Sequence, residues 1–550
     1  MNQMRLLSLV VAITFFPTGT RARQAVDGSA SVRGMVTDRA TGQPIPGAPV
    51  RLSTLPRPLR SLPGGISIGS DVAFTDDRGQ YTFPDVAPGG YTIRAEAAGF
   101  LLPSHEATAS QPLDIGAEAE IVVDFALTRG AVISGRVFDE AGEPLSGAFV
   151  GTQRITYDRG YPYLDNFVPL VIGGGLGLGV TNERGEYSIG GHPPGEYKVV
   201  VETPGSDSIA PVDSAPIYYP GSSDPESGIP IGVANDLPVG GIDIVWRNVP
   251  MVPVQGRVVG LAEGAEGFGS LEVRIAPRGR RVNFSGRSAI DPEGRFSVLV
   301  PPNDEYELLV LGPSLVEGSR EIPAVAGMAS IYVDEEGLAD VVVTMRPPTD
   351  IDGEFVWDPT TTPIDWREFP VRTELRLVGQ RRSFGAVYED DSFAIPNAPP
   401  IPQRLEVIVP DGVYLESASY GATDALRGNF NPADDPGATL RIRLGNQAGQ
   451  VSGAVVGPDG EPARGTRVTL VPDADRRQRH DLFQTRIADV EGRFHFPTVA
   501  PGTYLVFGWS NLPDGAIEVE EFRLPYETRA TRVVIDRLEA EEVEVRLIER

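Results

Sequence analysis

Thr181-Asn-Glu-Arg-Gly-Glu-Tyr-Ser-Ile-Gly-Gly-His-Pro-Pro-Gly-Glu-Tyr197 runs from a polar turn through a short aromatic strand into Pro-Gly-x-Tyr. Thr75-Asp-Asp-Arg-Gly-Gln-Tyr-Thr-Phe-Pro-Asp-Val-Ala-Pro-Gly-Gly-Tyr91 and Ala488-Asp-Val-Glu-Gly-Arg-Phe-His-Phe-Pro-Thr-Val-Ala-Pro-Gly-Thr-Tyr504 repeat it. Self-similarity at a regular spacing decides the architecture before any local motif does. Alternation at a period of two buries one face of a strand, and the Gly-containing polar turns supply the positive φ that a hairpin needs.

Upstream of each aromatic strand lies an entry strand with a central glycine. These are Ser31-Val-Arg-Gly-Met-Val-Thr-Asp38, Ile133-Ser-Gly-Arg-Val-Phe-Asp139, Val254-Gln-Gly-Arg-Val-Val259, Ile351-Asp-Gly-Glu-Phe-Val356 and Val451-Ser-Gly-Ala-Val-Val456. A glycine inside a strand marks a bulge or a close backbone approach. The anchors Gly34, Gly135, Gly256, Gly353 and Gly453 are spaced one small sandwich apart, and Tyr81, Tyr187, Phe296, Phe393 and Phe494 lead the aromatic strands. Tyr91, Tyr197, Tyr306 and Tyr504 hold the place of a tyrosine corner, whose hydroxyl ties a loop back to the backbone. The fourth copy has Leu405 there, and Glu389-Asp-Asp-Ser-Phe393 lacks the turn glycine, so that copy is expected to be looser or differently wired.

The expected fold is all-β, with five tandem Ig-like or transthyretin-like β-sandwich domains after a signal peptide. The boundaries read as 1–22 signal peptide, then sandwiches at 30–128, 130–247 (with an aromatic insertion), 250–346, 349–445 (divergent) and 448–550. Arg5 and the apolar run Leu6 to Phe16 fit an export signal, and the run is too short to cross a bilayer, which takes about 20 residues. The mature chain is therefore expected to carry no transmembrane span and to be secreted or periplasmic in a bacterium. Cysteine is absent, which excludes disulfides, cysteine nucleophiles and thiolate metal sites. The net charge of -27 argues against nucleic acid as a partner, because there is no phosphate-neutralising excess of positive charge.

The run Gly-x-Val, Asp-x-x-Gly-x-Pro-Leu-x-Gly-Ala-x-Val, Thr-Asn-Glu-Arg-Gly-Glu-Tyr and Pro-Pro-Gly-Glu-Tyr resembles the carboxypeptidase regulatory-like domain, a transthyretin-like sandwich close to Cna B-type and carbohydrate-binding-like modules. The resemblance implies fold and an extracytoplasmic setting. Ile217-Tyr-Tyr-Pro-Gly-Ser-Ser-Asp-Pro-Glu226 also resembles linker strands of secreted soil-bacterial proteins that carry these repeats. Cna B-type relatives form Lys-Asn isopeptide bonds, but Lys198 is the one lysine among 48 basic residues, so four of the five copies cannot do so.

No catalytic constellation is expected. His105, His192, His480 and His495 lack the His-x-x-Glu spacing of a zinc peptidase. Gly65-Ile-Ser-Ile-Gly69 fits the nucleophile-elbow pattern without the strand and helix that give it meaning. Gly173 to Gly179 lacks the lysine of a phosphate loop and reads as a hairpin tip. The acidic turns Asp76-Asp77, Asp390-Asp391 and Asp434-Asp435 offer oxygen ligands without calcium-loop spacing and read as solvated turns. No metal and no cofactor is assigned.

Binding determinants belong where one copy departs from the rest. The largest departure is Gln153-Arg-Ile-Thr-Tyr-Asp-Arg-Gly-Tyr-Pro-Tyr-Leu-Asp-Asn-Phe167. Tyr157, Tyr161, Tyr163 and Phe167 beside Asp165 and Asn166 combine flat apolar faces with hydroxyl-bonding groups, and Tyr218 and Tyr219 form a second candidate. The plainer account, which carries more weight, is that these aromatics cover a neighbouring domain and that Tyr218-Tyr219 is packing. Trp246, Trp357, Trp366 and Trp509 are expected to fill inter-sheet or inter-domain contacts. The first reading of function is carbohydrate-binding-like modules engaging a polysaccharide or cell-envelope polymer; the alternative is a structural spacer or protein-protein adhesion array with no small ligand, for which the partner is a cell-envelope protein. A part in a peptidase system is a distant third.

Overall fold

The computed structural model describes residues 30–54, 70–101, 110–117, 119–158, 161–167, 170–171, 175–176, 179–202, 214–234, 237–260, 271–278, 281–282, 286–312, 314–317, 320–323, 326–357, 372–373, 383–384, 386–387 and 391–549. The signal segment, Gly65–Gly69, His105, Asp390 and Trp366 lie outside them, as does most of the 173–179 run. Strand is the dominant regular structure of the described residues, which form two compact units. One holds the first repeat to Gly130, with Val171 and Gly190–His192; the other holds the rest of repeats two to five. No described helix is long and apolar enough to cross a membrane.

In the first repeat, Ala30–Asp38 pairs antiparallel with Gln80–Val86 and parallel with Glu120–Val122 and Phe125–Leu127. A second sheet orders Ser70–Phe74, Pro49–Thr54, Gly89–Ala95 and Ser110–Ile115. Alternate residues of both sheets meet in one core: Val32, Val36, Phe83 and Phe125 against Val50, Leu52, Ile93 and Ile115. This is the inward-facing alternation of two packed sheets. The third repeat shares the plan, and the third, fourth and fifth repeats each enclose a hydrophobic cluster of their own.

The anchor glycines have a steric cause. A Cβ on Gly34 would sit 1.7 Å from the carbonyl oxygen of Val123; on Gly135 it would sit 2.0 Å from Ile242 O, on Gly256 2.2 Å from Val341 O, and on Gly453 1.8 Å from Val543 O. The last strand thus crosses directly over the first, too close for any side chain. In the first two repeats the crossing carbonyl is bonded from the core: Tyr81 Oη donates to Val123 O (2.6 Å) and Tyr187 Oη to Ile242 O (2.7 Å).

The tyrosine corners form as expected. Tyr91, Tyr197 and Tyr504 donate to the carbonyls of Ala87, Pro193 and Ala500 four residues back, and Tyr306 donates to Pro301. Burial raises the Tyr504 hydroxyl to about 12, so it stays a neutral donor through the physiological range.

The polar turns agree in detail. Asp76, Asn182, Asp291 and Asp489 each accept two backbone N–H bonds on one side-chain oxygen, ahead of Gly79, Gly185, Gly294 and Gly492 at positive φ.

The fourth repeat is wired differently. Its main sheet runs through Ala386–Val387, Ser392–Ala398, Thr349–Trp357, Leu440–Gly445, Tyr414–Tyr420 and Thr423–Asp424, and residues 405–409 form no strand. Gln403, rather than Leu405, does the work of the missing tyrosine: its buried amide donates to Pro399 O (2.9 Å), four residues back, and to Ile401 O. Asp391, at φ 62°, replaces the turn glycine, and its carbonyl accepts from Phe355 N as Gly79 O does from Val36 N.

Two substitutions test these devices by denaturant unfolding with local hydrogen exchange. Gly453→Ala is expected to cost about 3 kcal/mol in the fifth repeat, because the facing atom is backbone and cannot move aside. Asp391→Gly is expected to stabilise the fourth repeat by up to about 1 kcal/mol, by removing left-handed strain.

Candidate functional site

The aromatic insertion is a hairpin. Phe149–Asp158 pairs antiparallel with Tyr161–Phe167, with Asp158 opposite Tyr161, Thr156 opposite Tyr163, Arg154 opposite Asp165, Gln153 opposite Asn166 and Thr152 opposite Phe167. The pleat sends Ile155 and Leu164 to one side, where they pack with Val200 and Tyr218. Tyr218 is 2% exposed and part of that small core, the packing role the sequence favoured; burial pushes its hydroxyl up. Tyr219 is half-buried.

Tyr157 is half-buried, its ring edge-on to Phe522 of the fifth repeat at 5.6 Å. It joins a cluster around Trp509, Phe507, Leu512 and Ile517. Trp509 is fully buried and donates from Nε1 to Thr469 Oγ1 (3.0 Å). The hairpin therefore covers a neighbouring repeat through Tyr157. Tyr163 is half-buried and Asp165 exposed, while Tyr161, Asn166 and Phe167 are placed by their backbone register.

Sequence reasoning passed over what Tyr157 meets. Between Gly502–Trp509 and Thr531–Ile535 the fifth repeat carries a helical insert, Ala516–Glu518, Glu520–Arg523 and Leu524–Arg529. The readable signal was helical spacing inside a β-repeat: Phe522 and Tyr526, and Arg523 and Glu527, stand four apart.

Arg523, 2% exposed, donates to the carbonyls of Ile517 (2.9 Å) and Glu518 (3.3 Å) and to Glu527 (3.0 Å); Arg477 reaches the same Glu527 oxygen at 2.6 Å. Burial works against the Glu527 carboxylate, but hydrogen bonds from Arg477 and Arg523 outweigh it and hold its pKa below the ordinary value. His480 Nδ1 lies 2.6 Å from Glu518 Oε2. These groups saturate one another and fasten the insert to the strands beneath.

The remaining sequence candidates are dispersed. His192 is buried and His495 exposed on an outer strand face. Lys198, half-buried, donates to the carbonyls of Pro225 and Glu226, clasping the loop that follows Tyr219; burial lowers its pKa against the pull of Asp224 and Glu226. Asp76 is occupied by backbone donors, and Asp434 accepts from Asn431. Among the described residues no group of three His, Asp or Glu side chains is placed to hold a metal ion.

Two measurements check the hairpin and its seat. A double-mutant cycle of Tyr157→Ala and Phe522→Ala is expected to give about 1 kcal/mol of coupling. Because the folded-state pKa of Glu527 is depressed, its contribution is present above the ordinary carboxylate value and lost as pH falls through the folded one. Exchange protection of the insert should fall with acidification in that window, and Glu527→Gln should make that dependence smaller.

No curated protein matches the chain. Among solved structures it is similar to the minor pilin GBS52 of Streptococcus agalactiae, at 16% identity over 40% of this chain and 97% of that one, TM-score 0.22. It is similar to the shaft pilin SpaA of Lactobacillus rhamnosus GG, at 14% identity over 40% and 96%, TM-score 0.20. The Bacillus anthracis TIE protein matches at 13% identity and TM-score 0.16 over 58% of this chain, which spans about half (51%) of that protein's length. Residues 31–128, the first sandwich, match the carboxypeptidase regulatory-like domain family.

Proposed function

We propose that the chain is a non-catalytic structural or protein-adhesion array of β-sandwiches, exported through its N-terminal segment and working outside the cytoplasm. The observation that carries this reading is the Tyr157 ring against Phe522: the most distinctive aromatic departure in the repeats serves the joining of one repeat to another. The buried Tyr218 supports it, since the second aromatic candidate is likewise used in packing. Rigid sandwiches that seal against one another suit a protein whose task is to hold surfaces at fixed spacing. The family match of the first sandwich to a regulatory-like domain accords with a role without chemistry of its own.

Carbohydrate binding by the hairpin is the second reading. Asp165 is exposed and Tyr163 half-exposed, with Tyr161 two residues before Tyr163 on the same strand. A screen of the purified chain against glycans and cell-wall polysaccharides, with and without calcium, separates the two. The array reading expects no binding that depends on the hairpin, and a loss of stability in Tyr157→Ala. A glycan signal abolished by Tyr161→Ala and Tyr163→Ala, with unfolding unchanged, would replace it with the carbohydrate reading.

A further inference from the structure

The third repeat carries a feature that the array reading does not use. A cavity of about 940 Å³ opens over its three-stranded sheet, lined by Gln255, Arg257, Ser297, Asp340 and Val342 among others. The sheet orders Arg295–Val300, Val252–Val259 and Leu338–Thr344, so these side chains stand on adjacent strands. Register places Gln255 opposite Ser297, and Arg257 opposite Arg295 on one side and Val342 on the other.

Two arginines directly across a pair of strands destabilise a sheet. Arg295 is neutralised by Asp291 (2.8 Å) and Glu293 (3.2 Å). Asp291 is in turn filled by the backbone N–H groups of Glu293 and Arg295. Among the described residues, no ion pair or side-chain hydrogen bond engages Arg257, Gln255 or the Ser297 hydroxyl. The Arg257 guanidinium therefore faces the cavity with its donors untaken. Asp340, on the same wall, is held at φ 59° in a bulge, a conformation that costs energy for a residue with a side chain.

We propose that this cavity is a binding site for a sugar acid, with Arg257 taking the carboxylate. A guanidinium fork matches a planar carboxylate in two parallel bonds. Gln255 and Ser297 offer both donors and acceptors, and Asp340 offers acceptors, to the hydroxyls of the ring. Val342, 44% exposed, gives its flat face an apolar support. The Asp340 carboxylate also sets the class: it accepts from hydroxyl groups but repels a second negative charge, so a phosphate dianion or an acidic peptide fits less well than a singly charged, hydroxyl-rich acid. The site lies within the third repeat and stands whether or not the aromatic hairpin binds anything.

Titration calorimetry of the full chain with glucuronate, glucose, inorganic phosphate and triglutamate tests this. Glucuronate should bind at least about tenfold more tightly than each of the other three. Arg257→Gln should weaken glucuronate by about tenfold or more without changing thermal unfolding, and Arg257→Lys, which keeps the charge and loses the fork, should fall between. The proposal is overturned if glucuronate gives no saturable binding at millimolar concentration, if phosphate or triglutamate binds as well as glucuronate, or if Arg257→Gln leaves the affinity unchanged.

Discussion

In four of the five repeats the first strand passes beneath a carbonyl oxygen of the last, at a separation that leaves no room for a Cβ. The contact lies where chain beginning and chain end of each sandwich meet, and much of the repeat is arranged around it. The glycine lets a carbonyl of the last strand lie against the first, and in the first two repeats a tyrosine from the neighbouring aromatic strand answers it with a hydroxyl. A buried carbonyl without a partner costs about 1–3 kcal/mol, so the aromatic strand and the anchor glycine are parts of one device. The third and fifth repeats place Phe296 and Phe494 against their anchors. There the ring packs without bonding, so the device survives in its steric half alone.

The fourth repeat keeps its first and last strands paired in parallel, with Gly353 opposite Leu440, but packs its anchor differently. The three atoms nearest a Cβ on Gly353 belong to the Phe393 ring, the first at 2.0 Å. In the same repeat the strand that elsewhere follows Pro-Gly-x-Tyr is missing, a glutamine substitutes for the corner tyrosine and an aspartate for the turn glycine. Each substitute preserves the bond and changes the residue: Gln403 reaches a carbonyl four residues back, as the tyrosines do. What persists across the copies is thus a hydrogen-bonding geometry, and residue identity follows it only where the geometry has one good solution.

This explains which parts were legible in the sequence. Glycines that must accept a crossing backbone, Asp-x-x-Gly turns and corner tyrosines each have a narrow set of tolerated residues, so the strands, turns and corners of repeats one, two and five could be read directly. Gln403 could not, because a buried glutamine has many other roles and its neighbour Leu405 occupied the expected place. The seat of Tyr157 was hidden for a different reason. An aromatic on a hairpin has the same composition whether it stacks on a ligand or on another repeat, and only the position of Phe522, hundreds of residues away, decides between them. The helical insert carrying Phe522 announced itself by spacing alone, in a segment where the repeat led one to look for strands.

The two candidate surfaces differ in how their groups are satisfied, and that difference separates holding from binding. Around Trp509 the aromatics close on one another, and Arg477, Arg523 and Glu527 complete each other's hydrogen bonds. Such a cluster stabilises the chain and leaves little for a ligand to gain. Over the third repeat Arg257, Gln255 and Ser297 stand in register with their side chains unengaged, beside a backbone held in a costly conformation. Desolvating a guanidinium is costly unless a partner takes its donors, so an open cavity lined by such groups remains wet until a complementary acid arrives. The chain can accommodate both, because the first, third, fourth and fifth repeats each enclose their own core and the outer face of one sheet can vary without disturbing the contact that holds it together.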